Sequence, residues 1–404
     1  MKLQGTILIL LFLSKVVFAQ NASLKISGQI IDAATNLPLS NAHVYFSGTT
    51  MLANTDSLGK FTLKREVAEG RHTLVFSHVG YETKIAKITV VNSESLSFNI
   101  LLVPKEVKLK EVLISATKDV AWQKNYARFK EEFLGSSSLA KECLINNPWI
   151  LEFKTKNDQL TVSADGELII DNKGLGYKVY CTLVNFSNVG FQTSYIGVYR
   201  FEPMRPQDKK QQKKWKKRRE KAFYGSFRHF VYALLHDKVK EEGFSVMVSK
   251  DSPAKVKRPR TKFTKMSKLF TQNDEGSFLR SKRYVNVMYL KRGEGVNYIR
   301  YIAKQAQGYK AFSHKKKRLA KGDLIDLNDK DIKLNYNGNR IYRYRKYYQS
   351  SWMYLLTEKL KVSRFGVVLD KPTNLETYGY WAWQRVGDML PFDFVPARIS
   401  KQHH

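Results

Sequence analysis

Several groups of residues have types that could do chemistry. Ser226 and His229 pair a hydroxyl with an imidazole, the parts of an activated nucleophile, which needs its base within hydrogen-bond reach of the hydroxyl. The strand-to-helix elbow and a third orienting acid at a recognisable spacing are missing. Gly225-Ser226 followed by Phe227, Phe230, Val231, Leu234 and Leu235 instead reads as an N-cap opening a helix with an apolar face. Glu152, Asp165, Glu167 and Asp171 offer carboxylates for glycan hydrolysis, which needs two of them in one cleft, and no pattern pairs them. Asp323, Asp326, Asp329 and Asp331 gather around Asn328 without the central glycine and terminal glutamate of a calcium loop. Asp32 and Asp56 are isolated acids that suit turn capping better than calcium. His43, His72 and His78 alternate with apolar residues and lack metal-ligand spacing. The sequence therefore gives no catalytic residue, no metal site and no cofactor site.

What remains is electrostatic. The chain of 404 residues carries 69 Lys and Arg against 36 Asp and Glu, a formal charge of +33, and such a surface should seek polyanions. The densest run is Lys209, Lys210, Lys213, Lys214, Lys216, Lys217, Arg218, Arg219 and Lys221, with Trp215 inside it. On a helix these cations fall on every face, so the segment should project into solvent. It either grips lipid or glycan phosphates with Trp215 at the interface, or is a solvated arm. Lys255, Lys257, Arg258, Arg260, Lys262 and Lys265, and then Lys315, Lys316, Lys317 and Arg318, extend the basic surface. Trp352, Tyr354, Tyr378, Tyr380, Trp381 and Trp383 suit either sugar stacking or a core.

The start of the chain sets the compartment. Lys2, the apolar run Ile7 to Leu13 and the small-residue site Val17-Phe18-Ala19 read as a signal peptide over 1–19. Export to the periplasm or the periplasmic face of the outer membrane follows. Nucleic acid is then excluded as a partner, leaving an envelope protein, anionic lipid, lipopolysaccharide or glycan. Cys143 and Cys181, an even pair in an oxidising space, favour a disulfide over two buried thiols that never meet.

Short alternating runs between Leu24 and Leu102 predict seven antiparallel strands in an all-β sandwich. Asp56 and Gly59 shape one turn and Gly80 another. Ser27-Gly28-Gln29-Ile30-Ile31-Asp32, Pro38-Leu39, Ala42-His43-Val44, Thr55-Asp56-Ser57-Leu58-Gly59-Lys60-Phe61 and Ser77-His78-Val79-Gly80-Tyr81 follow in order. This string resembles the carboxypeptidase-like regulatory domain, which implies a transthyretin-like fold serving as a folding or interaction module. The organisation expected is that sandwich over 20–104, a linker over 105–118 and a larger basic α+β domain over 119–404. The linker is similar to the segment that follows this domain in TonB-dependent receptors, but the rest is too short for their plug and barrel. The C-terminal part resembles the uncharacterised portion of envelope proteins with this N-terminal domain, through Asn147-Pro148-Trp149, Tyr224-Gly225-Ser226, Gly379-Tyr380-Trp381-Ala382-Trp383 and Leu390-Pro391-Phe392-Asp393. Helices are expected at Val120 to Leu134 and Ser138 to Leu144, strands at Leu160 to Ile170 and Tyr177 to Phe186, and a hairpin around Asn337-Gly338. Function reads as a noncatalytic envelope interaction or structural protein, with a glycan-binding or glycan-cleaving wall or capsule protein as the alternative.

Overall fold

The computed structural model describes residues 22–67, 70–90, 94–105, 120–190, 192–253, 259–273, 275–302, 333–335, 341–343, 348–363 and 365–400. The expected leader, nearly all of the linker, the Asp323–Asp331 cluster, the Lys315–Arg318 group, Lys255, Lys257, Arg258 and the Asn337-Gly338 turn lie outside them.

The N-terminal strands are β1 (Ala22–Asp32), β2 (His43–Phe46), β3 (Leu52–Asn54), β4 (Lys60–Val67), β5 (Gly70–Ser77), β6 (Lys84–Val90) and β7 (Glu94–Leu102). They form two sheets, β4-β1-β7 and β3-β2-β5-β6, so the seven-stranded sandwich is present. The period of two explains why: Ile26, Ile30, Val44, Phe46, Phe61, Leu63, Leu74, Phe76 and Ile100 point between the sheets and are buried together. β7 runs parallel to β1, with Gly28 opposite Phe98. A Cβ on Gly28 would fall 1.9 Å from the Phe98 carbonyl oxygen, so this pairing needs glycine there.

The remainder is α+β with strands predominating. Helix α1 (Val120–Leu134) matches its expected span. Next come β8 (Cys143–Ile145), β9 (Leu151–Lys156), β10 (Gln159–Ala164), β11 (Glu167–Asn172), β12 (Tyr177–Val189) and β13 (Gln192–Pro203). The helix expected at Ser138 to Leu144 is only a single turn, Ala140–Glu142, leading into β8. Pairing Cys143–Ile145 with Asn172–Ile170 supplies ladder bonds that outweigh helix propensity. The strand expected at Leu160 to Ile170 breaks at Gly166, φ +120°, and its halves lie in succession along β12. Phe129 and Phe133 of α1 stack against each other and meet Phe186 edge-on, closing this core.

The expected disulfide is absent: Cys143 and Cys181 are both free, buried thiols. Cys143 sits opposite Asn172, and Cys181 opposite Leu168. They are two strands apart, about 10 Å, and displaced four residues, about 13 Å, along the sheet. A disulfide needs Cα atoms within about 7 Å.

After α2 (Lys209–Phe223) come α3 (Phe227–Leu235), β14 (Phe244–Ser249), β15 (Lys262–Phe263), β16 (Phe270–Asn273), β17 (Gly276–Arg280) and β18 (Tyr284–Gly293), and a second core lies under α3. β19 (Lys333–Asn335) and β20 (Ile341–Arg343) follow, and β21 (Tyr348–Leu355), β22 (Lys359–Val362) and β23 (Leu375–Gly379) complete the core. One sheet has the order β15-β14-β18-β21-β23, another β16-β17-β22, and β19 pairs with β20 to flank the expected hairpin turn. Phe230, Val231 and Leu234 of α3 pack on Val246, Val285, Val287 and Met353 of the five-stranded sheet. Among the described residues no helix is long and apolar enough to cross a membrane.

Candidate functional site

Helix α2 begins at Asp208, whose side chain caps it by accepting from the Gln211 backbone N–H at 2.6 Å. Contrary to expectation, the helix does bury a stripe. Trp215, Ala222 and Phe223 are buried. The Trp215 indole lies where a Cβ on Gly176 would be, 2.2 Å away, and Gly176 has φ +70°. Three α2 side chains then take four successive carbonyls of the turn between β11 and β12. Trp215 Nε1 donates to Lys173 O at 2.8 Å, and Arg218 Nη1 to Gly174 O at 3.3 Å. Arg219 Nε donates to Leu175 O at 2.7 Å, and its Nη2 to Gly176 O at 2.9 Å. Arg218 also pairs with Glu142 at 2.8 Å, a hydrogen bond that holds this carboxyl below its ordinary pKa. The Arg219 guanidinium lies 4.0 Å over the Tyr177 ring, whose phenol burial pushes up to about 12.

With the two arginines facing inward, the cations left in water are all lysines: Lys209, Lys210, Lys213, Lys214, Lys216, Lys217 and Lys221 are exposed. At 3.6 residues per turn they fill an arc of about 160°. Two rows result, Lys209-Lys213-Lys216 and Lys210-Lys214-Lys217-Lys221, with members about 4.5 to 6 Å apart along the axis. Trp215 is thus an anchor inside the protein and not a residue at a membrane interface.

The body that carries α3 is tied to the sandwich by residues 391–394. Arg228 of α3 is the knot: Nε donates to Phe365 O at 3.0 Å and Nη1 to Pro391 O at 2.9 Å. Nη2 donates to Phe392 O at 2.7 Å and Phe394 O at 2.6 Å. Desolvation lowers this guanidinium to about 10, so it keeps its charge at neutral pH. The same segment reaches the β2–β3 loop, where Phe392 N donates to Gly48 O at 2.7 Å and Thr50 N to Asp393 at 3.1 Å. Gly48 N donates to Tyr199 O at 2.6 Å, and Phe201 N to Thr49 O at 3.0 Å.

Ser226 caps α3 by accepting from the His229 backbone N–H at 3.2 Å. The His229 ring turns away from that hydroxyl. Its Nδ1 accepts from Gly225 N at 3.0 Å, which places the proton on Nε2, 3.1 Å from Glu242 Oε2. Arg398 pairs with the same carboxylate. Burial lowers the imidazole to about 4. No spacing in the sequence announces this His229–Glu242–Arg398 chain, because its members come from three separate segments. Glu167 pairs with Arg200 at 3.7 Å. It stands four residues from Asp171 on β11, about 13 Å along the strand, wider than a glycosidase pair. Asp56 Oδ1 accepts from Leu58 N at 2.9 Å and Lys60 N at 2.8 Å, while Gly59 has φ +69° and Gly80 φ +84°. Asp32 accepts from Ala34 N at 2.8 Å and from the Tyr81 hydroxyl at 3.0 Å. Among the described residues no three His, Cys, Asp or Glu side chains are grouped to hold a metal. Trp381 and Trp383 are core residues, donating to Gly225 O and Ser136 Oγ, each at 2.9 Å. Trp352, Tyr354 and Tyr378 are half-buried on a sheet face.

The string of turn and strand motifs, now seen as a closed sandwich, matches the family model described as CarboxypepD_reg-like domain over residues 26–114. Those residues form a carboxypeptidase-regulatory-like domain. The regulatory-like domain accounts for the N-terminal fold and leaves the remainder without a family match. No curated protein matches the chain. Among solved structures it is similar to a type II cohesin–X-dockerin complex from Acetivibrio cellulolyticus, at 25% identity over 29% of this chain and 79% of that one, TM-score 0.18. A putative carbohydrate binding protein from Bacteroides uniformis is 11% identical over 46% and 76%, TM-score 0.17. The 3-chlorocatechol 1,2-dioxygenase of Rhodococcus opacus is 12% identical over 22% of this chain and 61% of that one, TM-score 0.18, so the chain spans about three fifths of the dioxygenase. Scores this low carry no argument about function.

Proposed function

We propose that this chain is a noncatalytic binding protein of the cell envelope, exported to the periplasm or the periplasmic face of the outer membrane. Its α2 lysine face contacts anionic lipid or lipopolysaccharide, and its regulatory-like domain docks an envelope protein. The observation that carries this reading is the seating of α2: Trp215, Arg218 and Arg219 occupy four consecutive carbonyls, so seven lysines are held outward on a fixed helix. A solubility arm would have no use for such anchoring. Each lysine near an anionic surface contributes about 1 kcal/mol. Replacing Lys210, Lys214, Lys217 and Lys221 with Gln should therefore weaken binding by about two to three orders of magnitude. Co-sedimentation with phosphatidylglycerol vesicles and with lipopolysaccharide, at low and at physiological salt, reads this directly. Equal sedimentation of the parent and the four-Gln protein would sink the proposal.

A further inference from the structure

The five-stranded sheet has two faces, and α3 fills one of them. On the other, the register sets Phe263, Met247, Asn286, Trp352 and Tyr378 in one straight row across all five strands. The next row holds Ser249, Tyr284, Tyr354 and Glu376, with Tyr284 and Tyr354 stacked at 4.4 Å. A third row sets Ser245, Met288 and Ser350 side by side. Phe263 is 79% exposed, while Ser249 and Asn286 are buried beneath their larger neighbours, and Tyr284, Trp352, Tyr354 and Tyr378 are half-buried. Asn286 Nδ2 donates to Ser350 Oγ at 3.0 Å and to Ser351 O at 3.1 Å, and the Tyr378 hydroxyl donates to Glu376 at 2.6 Å. A water-facing sheet surface normally carries polar and charged residues. These three rows carry aromatic rings, two methionines and short hydrogen-bonding side chains, and the carboxylate among them, Glu376, is engaged by its neighbouring tyrosine.

We propose that this face binds an extended anionic glycan, its sugar rings stacking on Phe263, Trp352 and Tyr378 and its hydroxyls meeting Ser350 and Glu376. Aromatic faces suit the apolar side of a sugar ring, and neighbouring hydroxyl and carboxylate groups suit its edge. The row of five strands is about 19 Å long at ordinary strand spacing, room for several sugar rings in line. The choice of an anionic glycan comes from the strand ends, where exposed Lys250 and Lys282 and half-buried Arg283 border the Ser249–Tyr284 row. Asp251, the acid nearest Lys250 in sequence, has its carboxylate occupied by the Arg260 backbone N–H at 2.9 Å. The site is separate from α2 and stands whether or not α2 meets lipid.

Affinity electrophoresis through gels containing polygalacturonate, dextran or polyphosphate tests it, with the full chain, Trp352→Ala, Trp352→Tyr and the four-Gln α2 protein. The parent should be retarded by polygalacturonate well beyond dextran. Trp352→Ala should weaken polygalacturonate binding about tenfold and leave polyphosphate unchanged, and Trp352→Tyr should restore most of the loss. The four-Gln protein should weaken toward polyphosphate while keeping its sensitivity to Trp352→Ala on polygalacturonate. Unchanged polygalacturonate retardation in Trp352→Ala, or equal losses on polygalacturonate and polyphosphate, overturns the proposal. So does failure of Trp352→Tyr to recover binding.

Discussion

Arg228 joins α3 to residues 365 and 391–394 through four backbone carbonyls, and Arg228→Ala removes all four bonds at once. Bonds to a charged donor contribute roughly 1.5 to 3 kcal/mol each. The bond to Phe392 is exposed, which leaves about three to count. Against their sum of roughly 5 to 9 kcal/mol stands the relief of no longer desolvating a guanidinium, several kcal/mol, so the net loss should be about 3 kcal/mol. In a protein of this size that corresponds to a fall in Tm of roughly 3 to 5 °C. Arg228→Lys keeps the charge but not the planar fork, and should lose more than half as much. Thermal unfolding followed by circular dichroism gives the magnitude. Limited proteolysis gives the location: cleavage should appear near residues 389–395 before the sandwich is cut. A shift below about 2 °C for Arg228→Ala, or a lysine that substitutes fully, would show that 391–394 is held by its own packing and that the four bonds are incidental.

The imidazole of His229, lowered to about 4 by burial, makes stability depend on acidity. A depressed folded-state value means the unfolded chain binds the proton first, so this contribution is complete above pH 6.5 and is lost as pH falls from 6.5 through 4. The loss is about 3 kcal/mol over that window. Chemical denaturation of the parent and of His229→Gln at pH 7 and pH 4.5 should show the variant nearly indifferent to the change, and a parallel acid loss in both would move the effect elsewhere. The free thiols give a third test. Burial pushes Cys143 up to about 12 and raises Cys181 further, so a thiol reagent should find no reactive group in the folded, unreduced protein and two after denaturation. Finding none after denaturation would restore the disulfide.

The sandwich was legible because each strand carries its own evidence: alternation fixes the buried face and the turn residues fix the ends. The second half was less so, for reasons that specific residues make plain. The α2 sequence shows cations on all sides, and helical periodicity counts Arg218 and Arg219 as solvent residues. Yet an arginine can be an inward residue wherever carbonyls wait for its fork, and the carbonyls of Lys173 to Gly176 were invisible from the helix. Cys143 and Cys181 looked like partners because composition and compartment were the only guides, whereas strand register decided the matter. The aromatic group divided for the same reason. Tryptophans 381 and 383 lie on the segment that turns into the core, while Trp352 points outward because Met353 and Ser351, its neighbours in β21, point in.

The direction of the sandwich strands constrains what the regulatory-like domain can still meet. β2 ends and β3 begins at the loop bound to Tyr199, Phe201, Phe392 and Asp393, so that end of the sandwich already has a partner, the rest of its own chain. β1 and β7 run parallel and finish together at the opposite end. The loops after β1, after β3 and after β5 turn at that end too, since Gln29 faces Lys60 and His43 faces Ser77. Each brings an exposed apolar side chain there: Leu37, Leu58 and Val79, joined by Val103 beyond β7. Single exposed apolar residues are ordinary on a protein surface, but four gathered on one end from four separate segments are not. Under the proposal that this domain docks an envelope protein, the Leu37, Leu58, Val79 and Val103 end is the surface expected to be covered.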